Sequence, residues 1–294
     1  QLWSVQGEQV GTTGVVFEAG EPLVYNEQGW ALTLSAGAWL SSDGFDEAAN
    51  GVSASTWLVE EDRVYASLLD ENLVPRIGLA QWNGSDLGLE QVVLEGRPGF
   101  FDEDGVLSPV VWATDAGYTM LYAGISEGVT RIGRALSIDG TSWEASEEPV
   151  LEPGEEWNSL SVVPGSVVEG SEALSLWYSG SDGSRTRIGL AESTDGGESW
   201  TRVTGDKDWI FEEGKPGDFD DGSVSDPLVI REGDTEHLWY TGFDGTQERI
   251  GYAWREGGGA WVRPLDADEE VRVVLEGRAG EFDLAGARRP VVVT

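Results

Sequence analysis

No cysteine occurs among the 294 residues. That excludes disulfides, thiolate metal sites and a cysteine nucleophile, and it leaves the redox compartment unread. Histidine is nearly as scarce, since His237 stands alone. A Ser-His-Asp relay would have to use it, and no nucleophile-elbow motif accompanies it. Lysine is confined to Lys207 and Lys215; all basic residues number 18 against 54 acidic ones, a formal net charge of -36. A chain so poor in cations cannot neutralise a phosphate backbone, so nucleic acid is excluded as a partner and an anionic membrane surface is disfavoured. No run of 18 apolar residues is present, so no membrane span is expected. The acidic residues are spread along the chain, the pattern of a solvated surface. A salt-rich habitat and a GC-rich genome would each produce the preference for Arg over Lys.

What is present is a repeat. An aromatic residue followed by Asp or Asn recurs at Phe45-Asp46, Phe101-Asp102, Trp157-Asn158, Phe219-Asp220 and Phe282-Asp283, at intervals of 56, 56, 62 and 63 residues. Three of these corners share a lead-in: Glu95-Gly-Arg-Pro-Gly-Phe-Phe-Asp102, Glu213-Gly-Lys-Pro-Gly-Asp-Phe-Asp220 and Glu276-Gly-Arg-Ala-Gly-Glu-Phe-Asp283. After the corner comes a β-branched run, then an aromatic run (Leu121-Tyr122, Trp177-Tyr178, Trp239-Tyr240). Next come Arg76-Ile-Gly78, Arg131-Ile-Gly133, Arg187-Ile-Gly189 and Arg249-Ile-Gly251, and then a turn closed by Trp143, Trp200 or Trp261. Each run is short, rich in Val, Ile, Trp and Tyr, and bounded by Gly, Asp or Ser, which signals strands and hairpins rather than helices.

Four-stranded units of this length read as propeller blades. The last unit stops after one strand, Pro290–Val293, and the first residues, Leu2-Trp3-Ser4-Val5, look like a second strand. Gly14–Glu18 and Trp30–Trp39 then serve as the third and fourth. The expected architecture is all-β: a single five-bladed β-propeller of four-stranded blades over residues 1–294. Its blades are about 46–100, 101–156, 157–218 and 219–281, with a closing blade of 282–294 plus 1–45 shared by the two termini, residues 1–5 beside 290–294. Sharing the closing blade hides its edges.

Corner Asp, Ser-Asp-Pro, aromatic strand, Arg-Ile-Gly-Tyr-Ala and Ser-x-Asp-Gly-x-x-Trp together resemble the five-bladed propeller glycoside hydrolases of families 43, 32 and 130, the arabinanase, levansucrase and invertase type. The resemblance runs end to end and rests on blade motifs. The Ser-x-Asp-Gly turns also resemble the Asp-box of sialidases, a turn element. The resemblance implies a glycan or cell-surface ligand, an extracellular or cell-surface location and a monomer. Gln1 opens the chain without Met, as in a trimmed mature form.

In a repeat, recurring positions are structural and function sits where one copy departs. The corner Asp reads as an Asx-type turn, the Arg of Arg-Ile-Gly as a clamp to a neighbouring blade, and His237 as packed. The column before the Pro reads Ala54, Ser108, Pro164, Asp226, Arg289. Asp226 and Arg289 fall on adjacent repeats with opposite charge, and either a structural ion pair or a site accounts for them. Asp226 is the candidate catalytic residue; Arg289, Arg288, Ser108, Trp57 and Trp112 are candidate substrate-binding residues. Glycoside hydrolysis needs two carboxylates, and families 43 and 32 place three on inner strands. The equivalent positions of the other four blades carry none, so the expectation is a carbohydrate- or surface-binding protein with a degenerate catalytic site. The alternative is an active glycosidase, or a phosphorylase in which Arg288 and Arg289 take phosphate. Asp218-Phe-Asp-Asp-Gly222 lacks the spaced ligands and terminal Glu of a calcium loop, so Ca2+ is not specifically indicated and no metal or cofactor is assigned.

Overall fold

The computed structural model describes residues 2–3, 9–11, 15–18, 30–33, 52–58, 61–82, 87–203, 207–266, 270–276 and 288–293. The chain forms two compact units, one of Gln1–Glu152 with Val291–Thr294 and one of Pro153–Pro290. Every named element is a β-strand. No helix long and apolar enough to cross a membrane occurs among the described residues.

In the first unit, β1 (Leu2–Trp3) pairs with β2 (Gln9–Gly11), and β3 (Val15–Glu18) pairs with β4 (Trp30–Thr33). Two antiparallel meanders follow. One is β5 (Val52–Leu58), β6 (Arg63–Leu69), β7 (Pro75–Trp82) and β8 (Leu87–Leu94). The other is β9 (Gly105–Thr114), β10 (Gly117–Ser126), β11 (Val129–Ser137) and the short β12 (Glu144–Ala145). The second unit holds two more. Its first is β13 (Ser161–Glu169), β14 (Leu174–Ser181), β15 (Thr186–Ser193) and β16 (Thr201–Arg202). Its second is β17 (Ser223–Glu232), β18 (Thr235–Phe243), β19 (Glu248–Glu256) and β20 (Val273–Glu276).

The last strand, β21 (Val291–Val293), pairs with β4, Val291 opposite Leu32 and Val293 opposite Trp30. Strands from the two ends of the chain therefore share one sheet, in the order β21-β4-β3. The partner differs from the expected residues 1–5. Leu2–Trp3 commits its backbone to Gln9–Gly11, a local pairing that closes a shorter loop. Trp30-Ala-Leu-Thr33 supplies the aromatic-apolar strand instead.

Burial follows the strand patterns. The first strand β13 alternates, with Val162, Pro164, Ser166 and Val168 buried, Ser161, Val163, Gly165 and Val167 half-buried and Glu169 exposed, the signature of a strand with one face on a core. The second strand β14 is buried continuously from Ser175 to Gly180, as a middle strand covered on both faces must be. One core gathers Tyr65, Ile77, Leu79, Met120 and Tyr122; the other gathers Trp177, Ile188, Val224, Leu238 and Tyr240. Each large side chain so buried contributes about 1.5–3 kcal/mol.

The corners are structural anchors. Asp102 is fully buried; it accepts from Tyr122 Oη at 2.8 Å and pairs with Arg97 Nη2 at 2.8 Å. Phe101 stacks on Tyr122 with centroids 6.1 Å apart. Phe219-Asp220 repeats this with Tyr240 at 2.8 Å and Arg263 at 2.9 Å, and Trp157 stacks likewise on Tyr178. These rings dictate two glycines per repeat. A Cβ on Gly242 would lie 2.4 Å from the Phe219 ring, and one on Gly251 2.5 Å from Phe219 and Tyr240. The Gly of Arg-Ile-Gly is thus the seat of the corner rings. Corners Phe45-Asp46 and Phe282-Asp283 lie outside the described residues.

The Arg of that motif does clamp a carboxylate, but within its own repeat. Arg76 holds Glu95, Arg131 holds Glu152, Arg187 holds Glu213 and Arg249 holds Glu276. Three of these acids are the first residue of the Glu-Gly lead-in. The short span favours them: Glu276 ends β20 and Glu95 directly follows β8, while Glu152 and Glu213 follow the single bridges Ile132–Leu151 and Ile188–Phe211 that bring the chain back beside the Arg strand. The Ser-x-Asp-Gly turns are organised by their own Asp: Asp139 accepts Thr141 and Ser142 N–H at 2.8 Å each, and Asp195 accepts Glu198 and Ser199 N–H at 3.0 Å; the first also accepts Arg63 and Tyr65 of the preceding repeat at its carbonyls. His237 is buried, its Nδ1 2.7 Å from Tyr252 Oη.

Candidate functional site

The column singled out in the sequence is a set of backbone distortions. Ser108, Asp226 and Arg289 adopt left-handed φ values of 53°, 50° and 55°. Each precedes a proline, where an extended conformation is the ordinary preference, and a non-glycine residue in this region is uncommon. The ladder slips at the same places: pairing to β18 jumps from Ser225 to Leu228, and pairing to β10 skips Ser108 and Pro109. Such bulges re-aim a side chain and concentrate beside binding and catalytic sites.

In the second unit two candidates come together. Arg289 Nε lies 3.4 Å from Asp226 Oδ1, and Ser225 Oγ donates to Asp226 Oδ2 at 3.2 Å. Both side chains are about one-fifth exposed, so the pair is neither sealed in the core nor free in solvent. Arg288 lies 3.7 Å from a residue the sequence reasoning passed over, Glu248. Burial raises the Glu248 carboxyl above the usual carboxylate range; the Arg288 and Arg289 guanidiniums oppose the rise and the charge on Asp226 adds to it. At 36% side-chain exposure, solvent tempers that rise. Asp226, Glu248, Arg288 and Arg289 thus form one cluster of two acids and two bases. Glu248 is thus a second carboxyl that feels the charge on Asp226.

A signal for Glu248 was present. The residue before Arg-Ile-Gly reads Pro75, Thr130, Thr186, Glu248, so the same repeat that departs with Asp226 departs here as well. The remaining candidates lie elsewhere, in the first unit. Ser108 is buried, with no partner for its Oγ. Trp112 sits on β9 opposite Thr119, half-buried. Trp57 lies on β5, its side chain outside the described residues.

No family model matches the chain, and no curated protein matches it in sequence. Solved structures do match. A structure described as a glycoside hydrolase superposes with a TM-score of 0.64 at 15% identity, covering 86% of this chain and 81% of that one. A structure reported with the family 130 mannoside phosphorylases, described as containing hydrolases that target β-1,2 mannosidic linkages, gives 0.58 at 15% identity over 80% and 72%. A thermostable family-43 glycoside hydrolase gives 0.52 at 18% identity over 69% and 68%. The chain therefore has the fold of these glycoside hydrolases, and at such identities the likeness is one of fold.

Proposed function

We propose that this is a glycan-directed protein working through the Asp226–Glu248–Arg288–Arg289 cluster, with Glu248 as proton donor and Asp226 as the opposing carboxylate. The observation that carries the reading is the contrast between the two acids. Burial raises the Glu248 carboxyl above the usual carboxylate range, while Asp226 Oδ1 lies 3.4 Å from the Arg289 guanidinium. Pairs of carboxyls in contrasting environments are how one site supplies both an acid and a base. Glycosidic cleavage uses such a pair: one group protonates the leaving oxygen, and the other attacks the sugar carbon or activates water. Arg288 and Arg289 are placed to take a sugar hydroxyl, a substrate carboxylate or phosphate. The setting we infer is a single five-bladed ring over residues 1–294, closed by the sheet that joins β21 to β4 and β3, in an extracellular or cell-surface monomer. Four four-stranded meanders of one strand order and the fold likeness support that setting.

A second reading has its own support. The column positions Ala54, Ser108 and Pro164 carry no carboxylate, as in a propeller that binds a glycan without cleaving it. One experiment separates the two. Wild type, Asp226→Asn and Glu248→Gln are assayed for hydrolysis and phosphorolysis of aryl-glycosides, manno-oligosaccharides and arabino-oligosaccharides, beside a glycan array. Turnover that both variants lose supports the catalytic reading. Array binding without turnover, lost in Asp226→Asn, supports the binding reading. Turnover or binding unchanged in Asp226→Asn overturns the site.

A further inference from the structure

Each left-handed residue of the column has the same companion. Ser67 Oγ accepts the N–H of Ser108 at 2.8 Å, Ser179 Oγ accepts that of Asp226 at 2.8 Å, and Thr241 Oγ1 accepts that of Arg289 at 2.9 Å. In all three cases the hydroxyl comes from the second strand of the preceding repeat, 41, 47 and 48 residues back. The corresponding positions of the remaining pair of repeats are Ala123 and Pro164. One has no hydroxyl to offer and the other has no N–H to satisfy.

The physical reason is an accounting of backbone groups. A bulge takes two residues out of the ladder. In Ser108-Pro109 and Asp226-Pro227, which the ladder skips, the second residue has no N–H, so only the first leaves a donor without a strand partner; Arg289-Pro290 has the same dipeptide chemistry just ahead of β21. A buried N–H left unpaired is costly. A left-handed non-glycine residue is strained and persists only where the surroundings over-determine it. The hydroxyl meets both demands in one place: it satisfies the N–H of a residue that is turned left-handed.

We propose that Ser179 and Thr241 are positioning residues for the candidate site, their hydroxyls holding Asp226 and Arg289 in the left-handed conformation that brings the carboxylate and the guanidinium together beside Glu248. The inference takes that cluster from the proposed function, but its claim concerns geometry and can fail or stand separately from any activity. A hydroxyl that only added stability would leave the side chains where they are. A positioning hydroxyl sets whether Asp226 faces Glu248 and Arg289 at all.

The test reads the full-length protein by NMR, with no ligand required. Two observables are followed: the backbone coupling and intraresidue NOE that mark residue 226 as left-handed, and the titration midpoint of the Glu248 carboxyl. In Ser179→Ala the left-handed signature is expected to weaken or vanish. The Glu248 midpoint is expected to fall, because a neighbouring negative charge moves away. Ser179→Thr keeps a hydroxyl and is expected to restore both. Ser67→Ala removes the equivalent bond at Ser108 and is expected to lower the melting temperature without moving Glu248. Thr241→Val, with Thr241→Ser as its rescue, repeats the test at Arg289 should Ser179→Ala fail to fold. There, loss of the left-handed signature at residue 289 with rescue by Ser supports the proposal. A Ser179→Ala or Thr241→Val protein that melts lower yet keeps the signature and an unmoved Glu248 midpoint overturns it. If the geometry behaves as expected but Asp226→Asn leaves glycan binding and turnover unchanged, the proposed function fails while this inference stands.

Discussion

Arg187 grips Glu213 through two parallel bonds, Nε to Oε2 and Nη2 to Oε1, each 2.7 Å. Burial by itself would raise the Glu213 carboxyl. The Arg187 bonds, a backbone N–H and Arg185 outweigh it and hold the group at about 2, below its ordinary 4.5. The sign follows. As pH falls the unfolded carboxyl protonates first, so the pair's contribution is complete above about pH 4.5 and lost as pH drops through about 2. The melting-temperature gap between wild type and Glu213→Gln is expected to be wide at pH 7 and to close toward pH 2. An equal gap at both pH values would contradict the assignment.

Removing Asp102 should cost more than an ordinary turn. Its carboxylate is fully buried and meets both Arg97 and the Tyr122 hydroxyl. Taking it away leaves a half-buried guanidinium without its counter-charge, a loss of about 3–5 kcal/mol. For a chain of this size that is a fall on the order of 10 °C. Asp102→Asn is expected to cost less than Asp102→Ala, because Asn158 occupies the same corner of the next repeat and its Oδ1 accepts the Gly154 N–H at 3.0 Å. Thermal melts of the three proteins decide the order.

Gly251→Ala carries the same logic into Arg-Ile-Gly. The added methyl would meet Phe219 and Tyr240 ring carbons at 2.5 Å, and Tyr240 is itself fully buried. Rings seated in a packed core cannot retreat, so a loss of about 1–3 kcal/mol is expected. Denaturant unfolding with an unchanged midpoint would show that the ring stack is not what demands the glycine.

These cases show how far the sequence could be read. Strand order and repeat spacing were legible because period-2 patterns and punctuating glycines are local properties, and the corner Asp was legible as structural because it recurs. The partner of each Arg was less so: the repeating Glu of the lead-in was visible, but its contact spans 19 to 26 residues in the pairs Arg76–Glu95, Arg131–Glu152 and Arg187–Glu213. The strand that receives Val291–Val293 was misplaced because Leu2-Trp3 and Trp30-Ala-Leu-Thr33 carry the same aromatic-apolar character. Asp226 and Arg289 were found as departures from the repeat. Glu248 is also a departure, but it stands beside a motif whose recurring Arg drew the eye. The left-handed backbone left no trace beyond the proline that follows it.

The charge excess makes salt a reagent. With 54 acidic and 18 basic residues, self-repulsion works against the compact state, and added salt screens it over about 10 Å at 0.1 M. The melting temperature is expected to climb between 0.05 M and 1 M NaCl. It should climb further in 1 M sodium sulfate, where the remaining gain comes from strengthened burial. A flat or falling curve would mean that the clamps from Arg76 to Glu95 and their counterparts, which salt weakens, outweigh the repulsion.

The assignment of Glu248 as proton donor makes a demand that mere proximity does not. A donor is needed in proportion to how poor the leaving group is. Oligosaccharides expel a sugar alkoxide and depend on the proton; dinitrophenyl glycosides expel a stable phenolate and do not. Glu248→Gln is therefore expected to slow oligosaccharide cleavage by roughly 10²–10⁴-fold while largely sparing the dinitrophenyl substrate. Asp226→Asn should abolish both. The pH profile supplies the sign: a carboxyl raised by burial keeps its proton further up the scale, so oligosaccharide turnover should decline as pH climbs through the Glu248 midpoint. That alkaline limb should be missing from the Glu248→Gln profile on the dinitrophenyl substrate. Equal losses on both substrates, with the alkaline limb intact, would reassign Glu248 from proton donor to a group that holds Arg288 in place.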